Sequence, residues 1–247
     1  MEIFLLIAAG FAAGIVNAIA GGGTFLTFPA LVMVGVPPVV ANATSAVSVF
    51  PGYLASVFGF KEELRQVDRA GLIKSSIVAL AGGLTGGLLL LVSSDAVFSA
   101  IIPFLLIFAT AIFAYQDRIQ IWLGNLSLHI PAFGIGGLAV VSIYGGYFNG
   151  GLGIVMLALF SLWGMRDLSQ MNGLKNWLST LIAAITVVAF AVAGAVVWKY
   201  ALVVGAANIA GGYAGARLSR ILSACLVRNF IIMIGVLVSI RFLAELF

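Results

Sequence analysis

The chain has 247 residues, of which 63% are hydrophobic and only 8% charged, with a formal net charge of +4 and a mean hydropathy of +1.21. So little charge excludes a soluble domain of this length, whose surface needs ionic groups to stay in water. The basic excess would suggest nucleic acid in a soluble protein, but here the cations sit between apolar runs, where they report membrane orientation.

Residues 3–60 contain no Asp, Glu, Lys, Arg or His, and further uncharged stretches run over 75–94, 96–116, 130–165 and 176–198. About 20 mostly apolar residues cross a hydrocarbon layer of about 30 Å, so each stretch holds at least one crossing. The runs are continuously apolar, whereas barrel strands alternate, and lipid admits no other form of backbone. The fold class is therefore all-α, a polytopic membrane protein with about 8–10 membrane segments.

The start, MEIFLLIAAGFAAG, lacks the basic region of a cleaved signal peptide and reads as a first helix. The cluster Gly21-Gly22-Gly23 follows, and then a short apolar piece from Thr24 to Val36. A 13-residue helix covers only about 20 Å, so 3–36 reads as a helical hairpin bent at its glycines, either re-entrant or oblique. Pro37-Pro38 forms the next turn, and ordinary spans follow at about 40–60, 72–92 and 97–115. Pro29, Pro51 and Pro103 lie inside apolar stretches and read as kinks.

Residues 116–129 read as a cytoplasmic linker, with His129 at its edge and no second metal ligand nearby. A second hairpin then covers 131–165, broken at Asn149-Gly150-Gly151-Leu152-Gly153, with spans at about 172–197, 200–216 and 229–246. Trp122, Trp163, Trp177 and Trp198 lie near predicted ends, as interfacial anchors do. Cys225, the single cysteine, reads as a small apolar filler.

The chain matches itself at an offset of 129 or 130 residues. Gly21 and Gly23 fall on Gly151 and Gly153, Asn42 on Asn172, and Ala81-Gly82-Gly83-Leu84-Thr85-Gly86 on Ala210-Gly211-Gly212-Tyr213-Ala214-Gly215. Two repeats follow, 1–120 and 130–247. A hairpin returns the chain to its own side, so a hairpin plus three crossings turns the second repeat upside down. With the N-terminus outside, ten of the twelve Lys and Arg fall at cytoplasmic ends and only Lys199 and Arg241 outside. Counting each hairpin as one crossing places only seven inside, so the positive-inside rule favours inverted repeats with both termini periplasmic.

All eight acidic residues lie in loops or at chain ends, so no carboxylate is available at membrane depth to hold a cation or activate a nucleophile. No cofactor, metal site or enzymatic activity is expected. What the spans do hold is uncharged hydrogen-bonding capacity beside the breaks. In the first half this is Asn17, Gly21, Gly22, Gly23, Thr24, Asn42, Thr44 and Ser45; in the second it is Asn149, Gly150, Gly151, Gly153, Asn172, Lys175 and Asn176. A helix starting inside the membrane presents bare N–H groups and about half a positive charge, which suits an anion. Lys175 either supplies a counter-charge there or snorkels to the cytoplasmic surface. Gly10, Gly14, Gly82, Gly83, Gly86, Gly211, Gly212 and Gly215 read as close helix packing.

The run AAGIVNAIAGGGTFLTFPALVMVGVPPVVANATSAV, with Gly14, Asn17, Gly21-Gly22-Gly23, Pro29, Leu31, Gly35, Pro37 and Ala41 to Ser45, resembles the TauE/SafE sulfite exporter family. Gly145 to Gly153 supports the resemblance, which spans essentially the whole chain. It implies export, or sometimes import, of small sulfur-containing anions such as sulfite, sulfoacetate or related sulfonates across a bacterial inner membrane. The expected partners are thus a small anion and the lipid bilayer; the sequence leaves the oligomeric state open, a homodimer included. The second half departs from the first: Leu159 stands where the first has Pro29, and Asn172-Gly173-Leu174-Lys175-Asn176 where it has Asn-Ala-Thr-Ser. The two walls of the expected site are therefore unequal.

Overall fold

A computed structural model describes residues 1–19, 22–125, 133–218 and 224–244. Among them the chain forms helices and no strand: α1 (Glu2–Ile19), α2 (Thr24–Met33), α3 (Pro38–Gly59), the short α4 (Lys61–Arg65), α5 (Arg69–Val92) and α6 (Asp95–Asn125) in the first part. The second part has α7 (Ile135–Phe148), α8 (Leu152–Leu162), α9 (Leu168–Val192), α10 (Trp198–Leu218) and α11 (Ala224–Ala244). Polar residues start the helices where the sequence leaves lipid. The Asp68 carboxylate accepts from Gly71 N–H at 2.7 Å, and Asp167 accepts from Ser169 and Gln170 at 2.8 and 3.2 Å. Pro38 opens α3, where its missing N–H costs nothing. α6 continues through residue 125, so much of the linker segment is helical.

α5, α9 and residues Asp95–Ile112 of α6 are long and apolar enough to cross a membrane. Phe104, Val140, Leu202 and Ile240 are each more than half exposed on their outer faces. Such a surface is costly in water and ordinary in lipid, and the protein is a multi-pass membrane protein.

Hydrogen bonds gather the connections into two ends. Gln170 donates to Gln66 at 3.3 Å, and Gly71 packs on the Phe133 ring, so the turns before α5, α7 and α9 share one end. At the other end Val39 N–H donates to Asp95 at 3.0 Å and Val197 N–H to Thr44 Oγ1 at 3.1 Å, joining the turns before α3, α6 and α10. α3 and α9 consequently run antiparallel, with Gly173 beside Phe60 and Leu64 at the first end.

The remaining contacts come in matched pairs: α1 packs on α10 as α7 does on α5, and α3 on α10 as α9 does on α5. Both main crossings are made by glycine. A Cβ at Gly14 would fall on the Asn208 carbonyl, and one at Gly146 on the Gly83 carbonyl. Along α1, Gly10 meets Val204 and Gly14 meets Gly212, so these helices run parallel; Gly82 and Gly86 meet Ala139 and Ile143 in the same sense. α1 therefore enters from the end where α10 starts, and α2 returns to that end. α7 enters from the opposite end, and α8 returns there.

Two apolar cores result. One gathers Phe25, Phe28, Leu31, Phe98 and Phe148; the other Met156, Phe160, Trp163, Leu174 and Leu178. Trp163, expected as an interfacial anchor, is buried against Phe160 and Phe133, and Trp177 donates to Ser76 at 2.9 Å. Both indoles pack inside because α8 and α9 meet neighbours there. Trp122 and Trp198 stay exposed.

Candidate functional site

The two hairpins are interrupted where the sequence places its glycines. In the first, Gly22 takes a φ of +94° and α2 begins at Thr24; Gly21 lies outside the described residues. Asn17, near the end of α1, folds over this break. Its Oδ1 accepts from Gly23 N–H at 2.7 Å, and a Cβ on Gly23 would meet Asn17 Nδ2 at 2.5 Å and the Ala13 carbonyl at 2.8 Å. Thr24 is buried beside it.

In the second hairpin α7 stops at Phe148 and α8 starts at Leu152, turned by Gly151 at a φ of +71°. No side chain caps α8, and the N–H groups of Gly151 and Gly153 have no acceptor among the described residues. The carbonyls of residues 147 to 151 are engaged, whereas that of Gly146 in the last turn of α7 has no donor among the described residues. Asn42 Nδ2 donates to Tyr147 O at 2.8 Å, and the Tyr144 hydroxyl donates to Gly150 O. The Asn149 carbonyl accepts from Leu152, and that of Gly151 from Ile154 and Val155. The Asn149 side chain is held by the Tyr53 hydroxyl at 3.4 Å.

Lys175 comes to this same place. It stands about 10 Å along α9 from Leu168, and its stem covers Gly153, where a Cβ would meet Lys175 Cδ at 3.2 Å. Its ammonium donates to Asn172 Oδ1 at 2.8 Å and forms no ion pair among the described residues. Asn176 is buried one position further on, its carbonyl accepting from Thr180. The Lys175 stem and two N–H groups without an acceptor among the described residues thus stand together, with Glu63 packed against Gly173 two positions before Lys175.

Other expected site residues are tied into the frame. Thr44 accepts from Val197 at the far end of α9, and Ser45 pairs with Thr27 at 2.6 Å, all three side chains being fully buried. Asn42 is 3% exposed, and its Oδ1 has no partner among the described residues. The structure therefore brings Asn42, Asn149, Gly150, Gly151, Gly153, Asn172 and Lys175 to one break, and leaves Asn17, Gly22, Gly23 and Thr24 at the other.

Aromatic residues that sequence reasoning did not single out stand between the two. Phe28 of α2 meets Phe148 edge-on at 6.0 Å and Phe98 at 6.3 Å, and stacks on Phe242 at 5.8 Å. Phe148 in turn covers Gly150. Tyr53, Tyr144 and Tyr147 were missed as well. Their signal is a departure from the repeat: at the offset of 130, Tyr144 and Tyr147 of the second half stand where the first has Gly14 and Asn17.

Broken helices, a polar break at membrane depth and lipid-facing flanks define a membrane transport protein rather than a receptor domain or a soluble enzyme. The pattern of the family described as sulfite exporter TauE/SafE matches residues 6–242, and the chain belongs to that family. It is 28% identical over 249 residues to a probable membrane transporter protein, ORF9, of Sinorhizobium sp, covering 98% of this chain and 92% of that one. A probable membrane transporter protein of Haemophilus influenzae is 27% identical over 96% of this chain and 92% of its own length. The probable membrane transporter protein YfcA of Escherichia coli K12 is 25% identical over 94% of this chain and 86% of its own. No solved structure matches the chain.

Proposed function

We propose that this protein is a secondary transporter that moves small sulfur-containing oxyanions, such as sulfite, sulfoacetate or related organosulfonates, out across the cytoplasmic membrane. The observation that carries the reading is the second break. Gly151 and Gly153 offer N–H groups with no acceptor among the described residues beside the Lys175 stem, and Lys175 forms no ion pair among those residues. An anion satisfies these donors in one step, whereas a cation is repelled by them.

The two halves act as inverted repeats, with both termini at the periplasmic face. The antiparallel run of α3 and α9, the matched helix pairs and the hairpins entering from opposite ends all support this arrangement. So does charge: Lys61, Arg65, Arg69 and Arg166 lie toward the end shared by the turns before α5 and α9, where the cytoplasm is placed. Alternating access then consists of the halves rocking about the breaks, and the Phe28–Phe148 contact must part for an ion to pass between the hairpins. Direction needs no coupled ion. With the inside negative, 100 mV expels one negative charge with about 2.3 kcal/mol.

Flux of purified protein in liposomes tests the reading, with sulfite, thiosulfate, sulfoacetate, taurine, sulfate and short carboxylates offered in turn. Saturable, potential-driven flux of a sulfur oxyanion is the expected result. Flux confined to carboxylates reassigns the substrate class, and flux that never saturates describes a channel.

A further inference from the structure

The donor bias of the second break does not follow from its glycines alone. A break of three residues frees carbonyls as well as N–H groups, and a free carbonyl facing the same space repels an anion. Here the carbonyls of residues 147 to 151 are all engaged. Three of these, Phe148, Asn149 and Gly151, accept from nearby backbone N–H groups in contacts that any sequence following this path would make. The other two depend on side chains: Tyr147 O on Asn42, and Gly150 O on Tyr144.

We infer that Asn42 and Tyr144 set the charge preference of the transport site by occupying two of its acceptors, without themselves contacting the substrate. One observation besides the helix start points to an anion at this place: the Lys175 stem covers Gly153 and its ammonium forms no ion pair among the described residues. The two residues come from different halves, Asn42 from α3 and Tyr144 from α7, so the preference is assembled only when the halves pack together. Both are positioning residues, and the inference rests on the proposed anion transport.

The test uses full-length protein in liposomes with sulfoacetate as the probe. Tyr144→Phe keeps the ring and removes one hydroxyl; Asn42→Leu keeps the volume and removes the amide. Each is expected to raise the KM for sulfoacetate about tenfold, the effect of one unfavourable dipole of about 1.4 kcal/mol, while Vmax stays within about twofold. Ser161→Ala is the matched control: it also removes a hydroxyl from a carbonyl of the second hairpin, that of Leu157 on α8, and is expected to keep the wild-type KM. A purely structural role lowers Vmax by reducing the active fraction and leaves KM unchanged; that outcome in Tyr144→Phe overturns the inference. Should Asn42→Leu fail to purify as a single species, Tyr144→Phe decides alone. Wild-type protein without saturable flux, or Lys175→Met with wild-type KM, removes the anion-transport reading itself. Wild-type flux that depends on Lys175 but ignores Tyr144 and Asn42 sinks only the inference.

Discussion

The two helix breaks are built from the same residue types, and different side chains finish them. At the first, Asn17 turns its carbonyl oxygen onto Gly23 N–H, so a side-chain acceptor occupies a backbone donor. At the second, Asn42 and Tyr144 turn their donors onto backbone carbonyls, and the N–H groups of Gly151 and Gly153 have no acceptor among the described residues. The polarity of a break is therefore not a property of its glycines. It is decided by which of the freed groups the neighbouring side chains satisfy first.

The helix crossings behind the breaks should be the most sensitive to change, and equally so. Gly14→Leu and Gly146→Leu each drive a side chain into a backbone carbonyl of the facing helix, at a cost of about 3 kcal/mol. Monodisperse yield and melting temperature in detergent check this; damage from one substitution alone would break the equivalence of the two halves.

Lys175→Met comes next and tests the breaks themselves. Losing the cation beside Gly153 should weaken sulfite or sulfoacetate binding about 100-fold, or about 2.7 kcal/mol. Ligand-induced shift in melting temperature reads the effect. Unchanged affinity would mean that the second break is not the seat of the anion.

Asn17→Ala sharpens the contrast from the other side. It releases the Gly23 N–H inside the fold and should lower stability by about 1 kcal/mol, with a smaller loss of anion affinity than Lys175→Met. Thermal melts with and without sulfoacetate separate the two quantities; an affinity loss as large as that of Lys175→Met would make the breaks functionally alike.

The smallest effect is expected at the buried hydroxyl pair. Thr27→Val and Ser45→Ala remove the same contact from either side, and a double-mutant cycle should give a coupling of about 0.6 kcal/mol. A coupling indistinguishable from zero would show that α2 and α3 are joined by packing alone.

Much of the fold was legible from composition because lipid leaves so few choices. An uncharged stretch such as 75–94 has to be a helix there, and Gly21 to Gly23 or Asn149 to Gly153 has to interrupt one. The candidate site was legible only in outline. Thr44 and Ser45 have the right chemistry at the right depth, yet Thr44 accepts from Val197, 153 positions along the chain, and Ser45 pairs with Thr27. Lys175 was left between two roles because a lysine stem of its length can reach the interface or a neighbouring helix. Which one it takes depends on Gly153 having no side chain in its way.

By itself, then, the order of residues determined that this protein lives in a bilayer as helices, that its two halves share a pattern, and where its helices break. These follow from local rules: the thickness of the hydrocarbon layer, the need to pair every amide in it, and the freedom of glycine. Only the packed structure decided that a side chain covers the Gly23 donor of the first break while those of Gly151 and Gly153 in the second have no acceptor among the described residues, and that Phe28 and Phe148 stand between them. Those outcomes depend on contacts between helices far apart in sequence, where a single hydroxyl or amide chooses among several freed backbone groups, and no local pattern records the choice.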